Sequence, residues 1–226
     1  MEISFVLVEP AVPENIGAAA LALKTMGFSE LTLINPCDYL NDRASWLAHA
    51  SNDIIEQAKV FDNLTYALKS FDFVIGTTAK KRSVKKDYFP LSGLTQLLVS
   101  KGNSINKVAI VFGREESGLK NQELKCCDIV STVPLQTSYP SRNLVQAIML
   151  YAYELSKLNY RTETHYAENK ESFPALKQKT HEVLREVGFK KETNIYPRFM
   201  ELLSFLTQDD VHLLHSFCNK FLENEK

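Results

Sequence analysis

The segment Gly113-Arg114-Glu115-Glu116-Ser117-Gly118 follows directly on an apolar run, Val108 to Phe112. Glycines let a ligand approach the backbone closely, so that amides and carbonyls can read its edge. Glu115 can accept a hydrogen bond or balance a cation, and Arg114 can meet a phosphate. Three other stretches have the same character. Glu9-Pro10 and the loop to Asn15 follow the run Ile3 to Val8. Thr77-Thr78-Ala79 follow Phe73 to Gly76, and Pro134 with Tyr139-Pro140-Ser141-Arg142-Asn143 follows Ile129 to Val133. One such stretch alone reads as a βα turn. Four at one sheet edge read as the walls of a single ligand site. No G-x-G-x-x-G and no G-x-x-x-x-G-K-[ST] occurs, which argues against dinucleotide and P-loop chemistry.

The elements that must position these residues alternate. Ile3–Val8, Leu31–Ile34, Phe73–Gly76, Val108–Phe112 and Ile129–Val133 are short, apolar runs with the character of buried strands. Between them lie helical patterns: an alanine-rich segment entered at Asn15 and closed by Gly27, then Ser45–Ala58, Leu64–Phe71, Leu91–Val99 and Asn121–Cys127. Leu144–Leu158 is a long helix with Leu144, Ile148, Tyr151, Ala152 and Leu155 at core spacing. The fold class is therefore α/β, a mostly parallel sheet flanked by helices. In such sheets ligands bind outside the carboxyl ends of the strands, where the four polar stretches fall. Residues 1–160 form this domain, 161–172 a polar linker, and 173–226 a small helical C-terminal extension.

Composition narrows the class. The 226 residues are 45% hydrophobic and 23% charged, an ordinary balance for a protein that buries its own core. The net charge of −1 announces no nucleic-acid partner, but its distribution does. Lys80, Lys81, Arg82, Lys85 and Lys86 place five cations in seven positions, enough to neutralise several phosphates of an RNA backbone. The segment from Arg161 onward carries 10 Lys+Arg against 11 Asp+Glu and has no such bias. Cys37, Cys126, Cys127 and Cys218 form no C-x-x-C pair, so reduced thiols and no metal are expected. His212 and His215, three apart, read as parts of a surface helix. No signal peptide and no membrane-spanning run is visible, so a cytoplasmic protein with no membrane partner is expected.

Four motifs occur in a specific order: Asn15-Ile16-Gly17-Ala18, Lys24-Thr25-Met26-Gly27, Phe112-Gly113-Arg114-Glu115 with Ser117-Gly118-Leu119, and Tyr139-Pro140-Ser141-Arg142-Asn143-Leu144. Together they resemble the SPOUT class of RNA methyltransferases, in the TrmH/TrmJ branch that methylates ribose 2′-hydroxyls, over residues 1 to about 158. The resemblance implies a trefoil knot, S-adenosylmethionine as cofactor, tRNA as substrate, and a homodimer with active sites at the subunit interface. It implies a cofactor pocket of Thr78, Ala79, Gly113, Glu115, Val133, Ser141 and Leu144. It implies a catalytic set of Asn15, Glu115, Ser141, Arg142 and Asn143, with Ser141 and Asn143 beside the transferred methyl and the substrate ribose. Related enzymes use the C-terminal extension to grip tRNA. Here Leu202-Leu203-Ser204-Phe205 stands where a basic helix would, which favours packing or a dimer contact.

One position departs from the pattern. The family motif N-x-G-[AS]-x-x-R puts at position 21 an arginine that helps deprotonate the ribose hydroxyl; here it is Leu21. Between the serine and asparagine of the last motif the family has an apolar residue; here it is Arg142. Either Arg142 supplies the missing guanidinium, or the chain is a weakened or inactive protein that binds the cofactor and RNA. A metabolic α/β enzyme for a small substrate is a third reading. The basic loop and the absence of a catalytic carboxylate–histidine set argue against it.

Overall fold

The computed structural model describes residues 1–79, 87–134, 143–158, 172–191 and 194–224. Within them the chain runs β1 (Glu2–Val8), α1 (Pro13–Thr25), β2 (Leu31–Ile34), α2 (Asp42–Ala48), α3 (Asn52–Glu56), β3 (Lys59–Phe61), α4 (Leu64–Ala67) and β4 (Phe73–Thr77). It continues as β5 (Tyr88–Pro90), α5 (Leu94–Ser100), β6 (Lys107–Phe112), α6 (Asn121–Lys125), β7 (Ile129–Thr132) and α7 (Leu144–Ser156). Three helices follow, α8 (Phe173–Glu186), α9 (Ile195–Leu203) and α10 (Gln208–Asn224).

The strands form one seven-stranded sheet in the order β3-β2-β1-β6-β4-β7-β5, with every adjacent pair parallel. The reason lies in the apolar runs. Ile3, Phe5, Val6, Leu7 and Val8 of β1 and Val108 to Phe112 of β6 are all at most 6% exposed, so these strands are covered on both faces. On one face Val6, Val8, Val74, Ala109, Val111 and Val130 pack with Leu64, Leu68, Leu119, Leu124 and Cys127 of the α4 and α6 segments. On the other, Phe5 lies 6.1 Å from Phe112 in a stacked pair, and Phe112 meets Tyr151 of α7 edge-on at 5.3 Å. Two aspartates fix the lower rim: Asp128 accepts the Val74 amide at 2.9 Å, and Asp72 accepts the Lys107 amide at 2.9 Å.

The sequence does not predict β3 and β5. Each has three residues, lies at a sheet edge, and is largely uncovered, so neither carries a long apolar run. The helix expected over Ser45–Ala58 is two helices, broken at His49, whose φ of 47° is left-handed. α1 begins at Pro13, two residues before Asn15, because proline suits the first helical position. β7 sits between β4 and β5, both made earlier in the chain. Residues 80–86, between β4 and β5 in the chain, and 135–142, after β7, lie outside the described residues.

By packing, the chain divides into Met1–Thr95 with Lys107–Thr162, and Gln96–Asn106 with Glu163–Lys226. The second unit is not a tail packed only on itself. Lys101 is fully buried there; its ammonium donates to the Leu206 carbonyl at 2.8 Å and stands 4.6 Å over the Phe173 ring. Gln208 accepts the Asn103 amide at 2.9 Å. His215 is fully buried as well, contrary to the surface helix expected: Nε2 donates to Ser172 O at 3.0 Å and Nδ1 accepts from Lys179 at 3.2 Å. Among the described residues no helix is long and apolar enough to cross a membrane, and no cluster of His, Cys, Asp or Glu could hold a metal.

α1 and α2 cross closely at Gly17. A Cβ built on Gly17 would lie 2.1 Å from the Ala44 carbonyl oxygen, a backbone atom that cannot swing aside. Gly17→Ala should therefore destabilise the protein by about 1–3 kcal/mol, outweighing the gain in helix propensity of up to about 1 kcal/mol. Urea unfolding followed by circular dichroism checks the sign.

Candidate active site

From β1 the chain winds outward through β2 to β3, while β6 lies on the other side of β1. The strand order therefore reverses between β1 and β6, and the rim at their carboxyl ends is the crevice position at which open α/β sheets hold their ligands. The register Leu7↔Phe112 brings Val8 and Gly113 level. After Val8 the backbone turns left-handed at Glu9, with φ of 48°, and a Glu9 amide bond of 2.8 Å to the Ile34 carbonyl holds it there.

Glu115 crosses the crevice. One carboxylate oxygen accepts from the Asn15 carboxamide at 3.1 Å, and the other accepts from the Ala11 amide at 3.3 Å. Asn15 can reach because Pro13 has already opened the helix, leaving Asn15 in the first turn with its side chain free of capping duty. The amino end of α1 favours a negative charge at this point. Two of the residues expected in the site, a hundred positions apart, are thus one hydrogen-bonded pair. Cys37 lies close by, and burial followed by the Glu115 charge pushes its thiol above the ordinary cysteine range, so it stays protonated.

Arg114 is held within the protein. Its sequence position suggests a phosphate contact, but its guanidinium is turned inward and only 14% of the side chain is exposed. Nε donates to Glu9 at 2.6 Å; Nη2 and Nη1 form a fork on Glu123 at 2.9 and 3.1 Å. Nη1 also donates to the Gly118 carbonyl at 3.3 Å. Its charge is spent on two carboxylates, and the hydrogen bonds it donates to Glu9 and then Glu123 hold it firmly protonated. Sequence reading placed Glu9 at the edge of the site without a role, and missed Glu123. Glu123 left little signal: it is the third residue of a helix and reaches back to the Lys120 amide at 2.6 Å, the glutamate half of a capping box, but Lys120 is not the serine or threonine that marks one in a sequence.

The other expected residues fall at neighbouring strand ends. The registers Gly76↔Val111 and Thr77↔Ser131 set Gly113, Thr78 and Val133 at the ends of β6, β4 and β7. Three such ends span roughly 10 Å, the width of a nucleoside. Thr78 is half-buried and donates its amide to the Ser131 carbonyl at 3.0 Å; Ala79 is exposed. Val133 is half-buried and Leu144, the first residue of α7, is buried. The described part of this rim, apolar side chains with backbone polar groups between, fits an adenosyl group in kind. Gly113 has a second reason to be glycine: a Cβ there would lie 2.1 Å from the backbone of Gly118 and Leu119, where the loop closes on itself. Asn143 is the N-cap of α7, its carboxamide oxygen accepting the Gln146 amide at 3.1 Å. Ser141, Arg142, Lys80, Lys81, Arg82, Lys85 and Lys86 lie outside the described residues.

Residues 2–153 match the SpoU rRNA methylase family. The chain belongs to this family. Residues 170–224 match a second description, the C-terminal domain of the tRNA/rRNA methyltransferase LasT. The chain is 36% identical to LasT of Escherichia coli (strain K12), an uncharacterized tRNA/rRNA methyltransferase, over 99% of both chains. It is 37% identical to the tRNA (cytidine/uridine-2′-O-)-methyltransferase TrmJ of Pectobacterium atrosepticum, over 68% of this chain and 63% of that one. The crystal structure of TrmJ from Z. mobilis superposes with a TM-score of 0.67 at 26% identity, covering 98% of this chain and 99% of that one.

Within the SpoU family fold, Leu21 occupies a defined side of α1. It lies four residues after Gly17, which touches α2, and three before Lys24, which donates to the Ala50 carbonyl and to Asp53, both at 2.7 Å. It is about 9 Å along the helix axis from Asn15.

The Arg114 clasp makes stability depend on pH. Glu123 has a carboxyl held below its ordinary value of 4.5; burial alone would raise it, but Arg114 and the Lys120 amide outweigh burial. A depressed folded value means that the contribution is fully present above pH 4.5 and is lost as the pH falls through the folded value. Glu123→Gln should cost about 2 kcal/mol at pH 7, and the gap to wild type should narrow progressively as the pH falls below 4.5. Thermal unfolding from pH 3 to 7 measures it.

Proposed function

We propose that this protein transfers a methyl group from S-adenosylmethionine to a ribose 2′-hydroxyl of RNA, most simply of tRNA. The observation that carries the reading is the Asn15–Glu115 pair across the crevice beside β1 and β6, in a chain related to named tRNA 2′-O-methyltransferases along its first two thirds. When bound, S-adenosylmethionine supplies a sulfonium-activated methyl; the new O–CH3 bond forms as the S–CH3 bond breaks, its electron pair stays on sulfur, and the hydroxyl proton is released. Thr78, Ala79, Gly113, Val133 and Leu144, with Ser141, would hold the adenosyl end. Asn15 and Glu115 set the geometry of the crevice, and alignment of the ribose oxygen with the methyl is where most of the rate comes from. Ser141, Arg142 and Asn143 face the ribose in this reading.

Residues 1–160 form the catalytic domain, joined by 161–172 to the helical extension 173–226. The loop Lys80–Lys86 grips the RNA backbone. The catalytic domain is threaded into a trefoil knot, and two copies pair so that each completes the other's site. The reading with a specific observation behind it as an alternative is cofactor and RNA binding without transfer, because Leu21 replaces an arginine.

Labelled methyl from S-adenosylmethionine should enter tRNA taken from cells lacking the gene, and nuclease digestion should place it on a ribose. Asn15→Ala and Glu115→Ala should each lower the rate by roughly 100-fold, the scale of a lost alignment. Binding of both ligands with no incorporation would establish the alternative. If Arg142 supplies the guanidinium absent at position 21, Arg142→Ala abolishes transfer; unchanged transfer removes that role. Replacing Lys80, Lys81, Lys85 and Lys86 with glutamine should weaken tRNA binding and flatten its dependence on salt, by about 0.7–0.9 in log–log slope for each phosphate no longer neutralised.

A further inference from the structure

We infer that Arg114 is a positioning residue, which clamps the β6 loop to the β1 loop so that Glu115 stays seated on Asn15. The inference rests on the reading of Asn15 and Glu115 as working parts of the active site. Arg114 and Glu115 are consecutive, and both reach the same neighbouring loop: Arg114 takes Glu9, and Glu115 takes Ala11 and Asn15. Two adjacent residues thus fasten one loop to the other at the point where the sheet reverses its winding. The shortest tie between the two loops is that of Arg114 to Glu9 at 2.6 Å, charged on both sides, against 3.1 and 3.3 Å for the bonds of Glu115; the fork on Glu123, at 2.9 and 3.1 Å, anchors the arginine from behind.

The clasp also explains the shape of the loop. The Gly118 amide donates to the Arg114 carbonyl at 2.9 Å, and the Arg114 side chain returns a bond to the Gly118 carbonyl, so the turn is closed at its neck from both directions. Gly118 takes the left-handed φ of 67° that this closure needs, and Gly113 gives up its Cβ space to the returning backbone. Glu123 ties the neck to α6, and Glu9 ties it to the end of β1. The arginine is the hub common to all three segments. A lysine in its place keeps the charge but lacks the fork, and reaches one carboxylate at a time.

The test uses the full-length chain with Arg114→Lys, which keeps the charge and is the variant best suited to folding. Hydrogen–deuterium exchange should rise together in peptides covering residues 9–15 and 113–119, beyond any global change. The turnover number for methyl transfer should fall by roughly tenfold or more, with the KM for tRNA and the salt dependence of tRNA binding unchanged. In a Glu115→Ala background the Arg114→Lys change should have no further effect on turnover, because both act on one feature. In Arg114→Gln, which removes the charge, a salt slope lowered by about one with exchange unaltered would make Arg114 a phosphate ligand and overturn the inference. So would unaltered exchange in both loops, or a full additional loss in the Glu115→Ala background. If wild type transfers no methyl, the proposed activity fails, while the exchange and salt measurements still decide the role of Arg114.

Discussion

The parallel pairing of β1 with β6 is the constraint on which the site depends. These strands lie a hundred residues apart in the chain, yet six consecutive residue pairs from Glu2↔Lys107 to Leu7↔Phe112 lock their register. A slip of one residue would turn every apolar side chain to the opposite face. Both strands are buried on both faces, so the slip would break the aromatic layer Phe5–Phe112–Tyr151 on one side and the valine layer on the other. Register fixed in the core thus becomes position at the rim. Val8 and Gly113 are level, and the two loops that follow meet through Glu115 and Arg114.

Electrostatics at that rim is settled within the protein. Arg114, Glu9 and Glu123 form a compact ion triad, and taking an arginine out of water is tolerable only because its fork is matched. A cation already satisfied in this way offers little to an incoming phosphate. Inward-turned charges of this kind hold the two loops together.

The helical unit follows the same logic with other groups. Lys101 and His215 are fully buried, and each is matched to a backbone carbonyl, of Leu206 and Ser172. A buried ammonium without such an acceptor would be costly. Lys101 belongs to the segment Gln96–Asn106, which interrupts the sheet domain in the chain but packs with the C-terminal helices. The match to the LasT C-terminal domain begins only at residue 170 and gives no hint of this.

Period and punctuation in the sequence determined the five central strands, the α/β class and the helix that ends at Gly27, because burial on two faces demands continuous apolar runs. They also placed Asn15 and Glu115 just beyond the carboxyl ends of two strands. They could not reveal β3 and β5, since a three-residue edge strand is held by a neighbour's backbone rather than by its own side chains. Nor could they separate the two fates of adjacent charges, Glu115 on Asn15 and Arg114 between Glu9 and Glu123. Residue type states what a side chain can bond. Which partner it finds depends on strand order and register, and those are set by pairings a hundred residues apart that only the folded chain brings together.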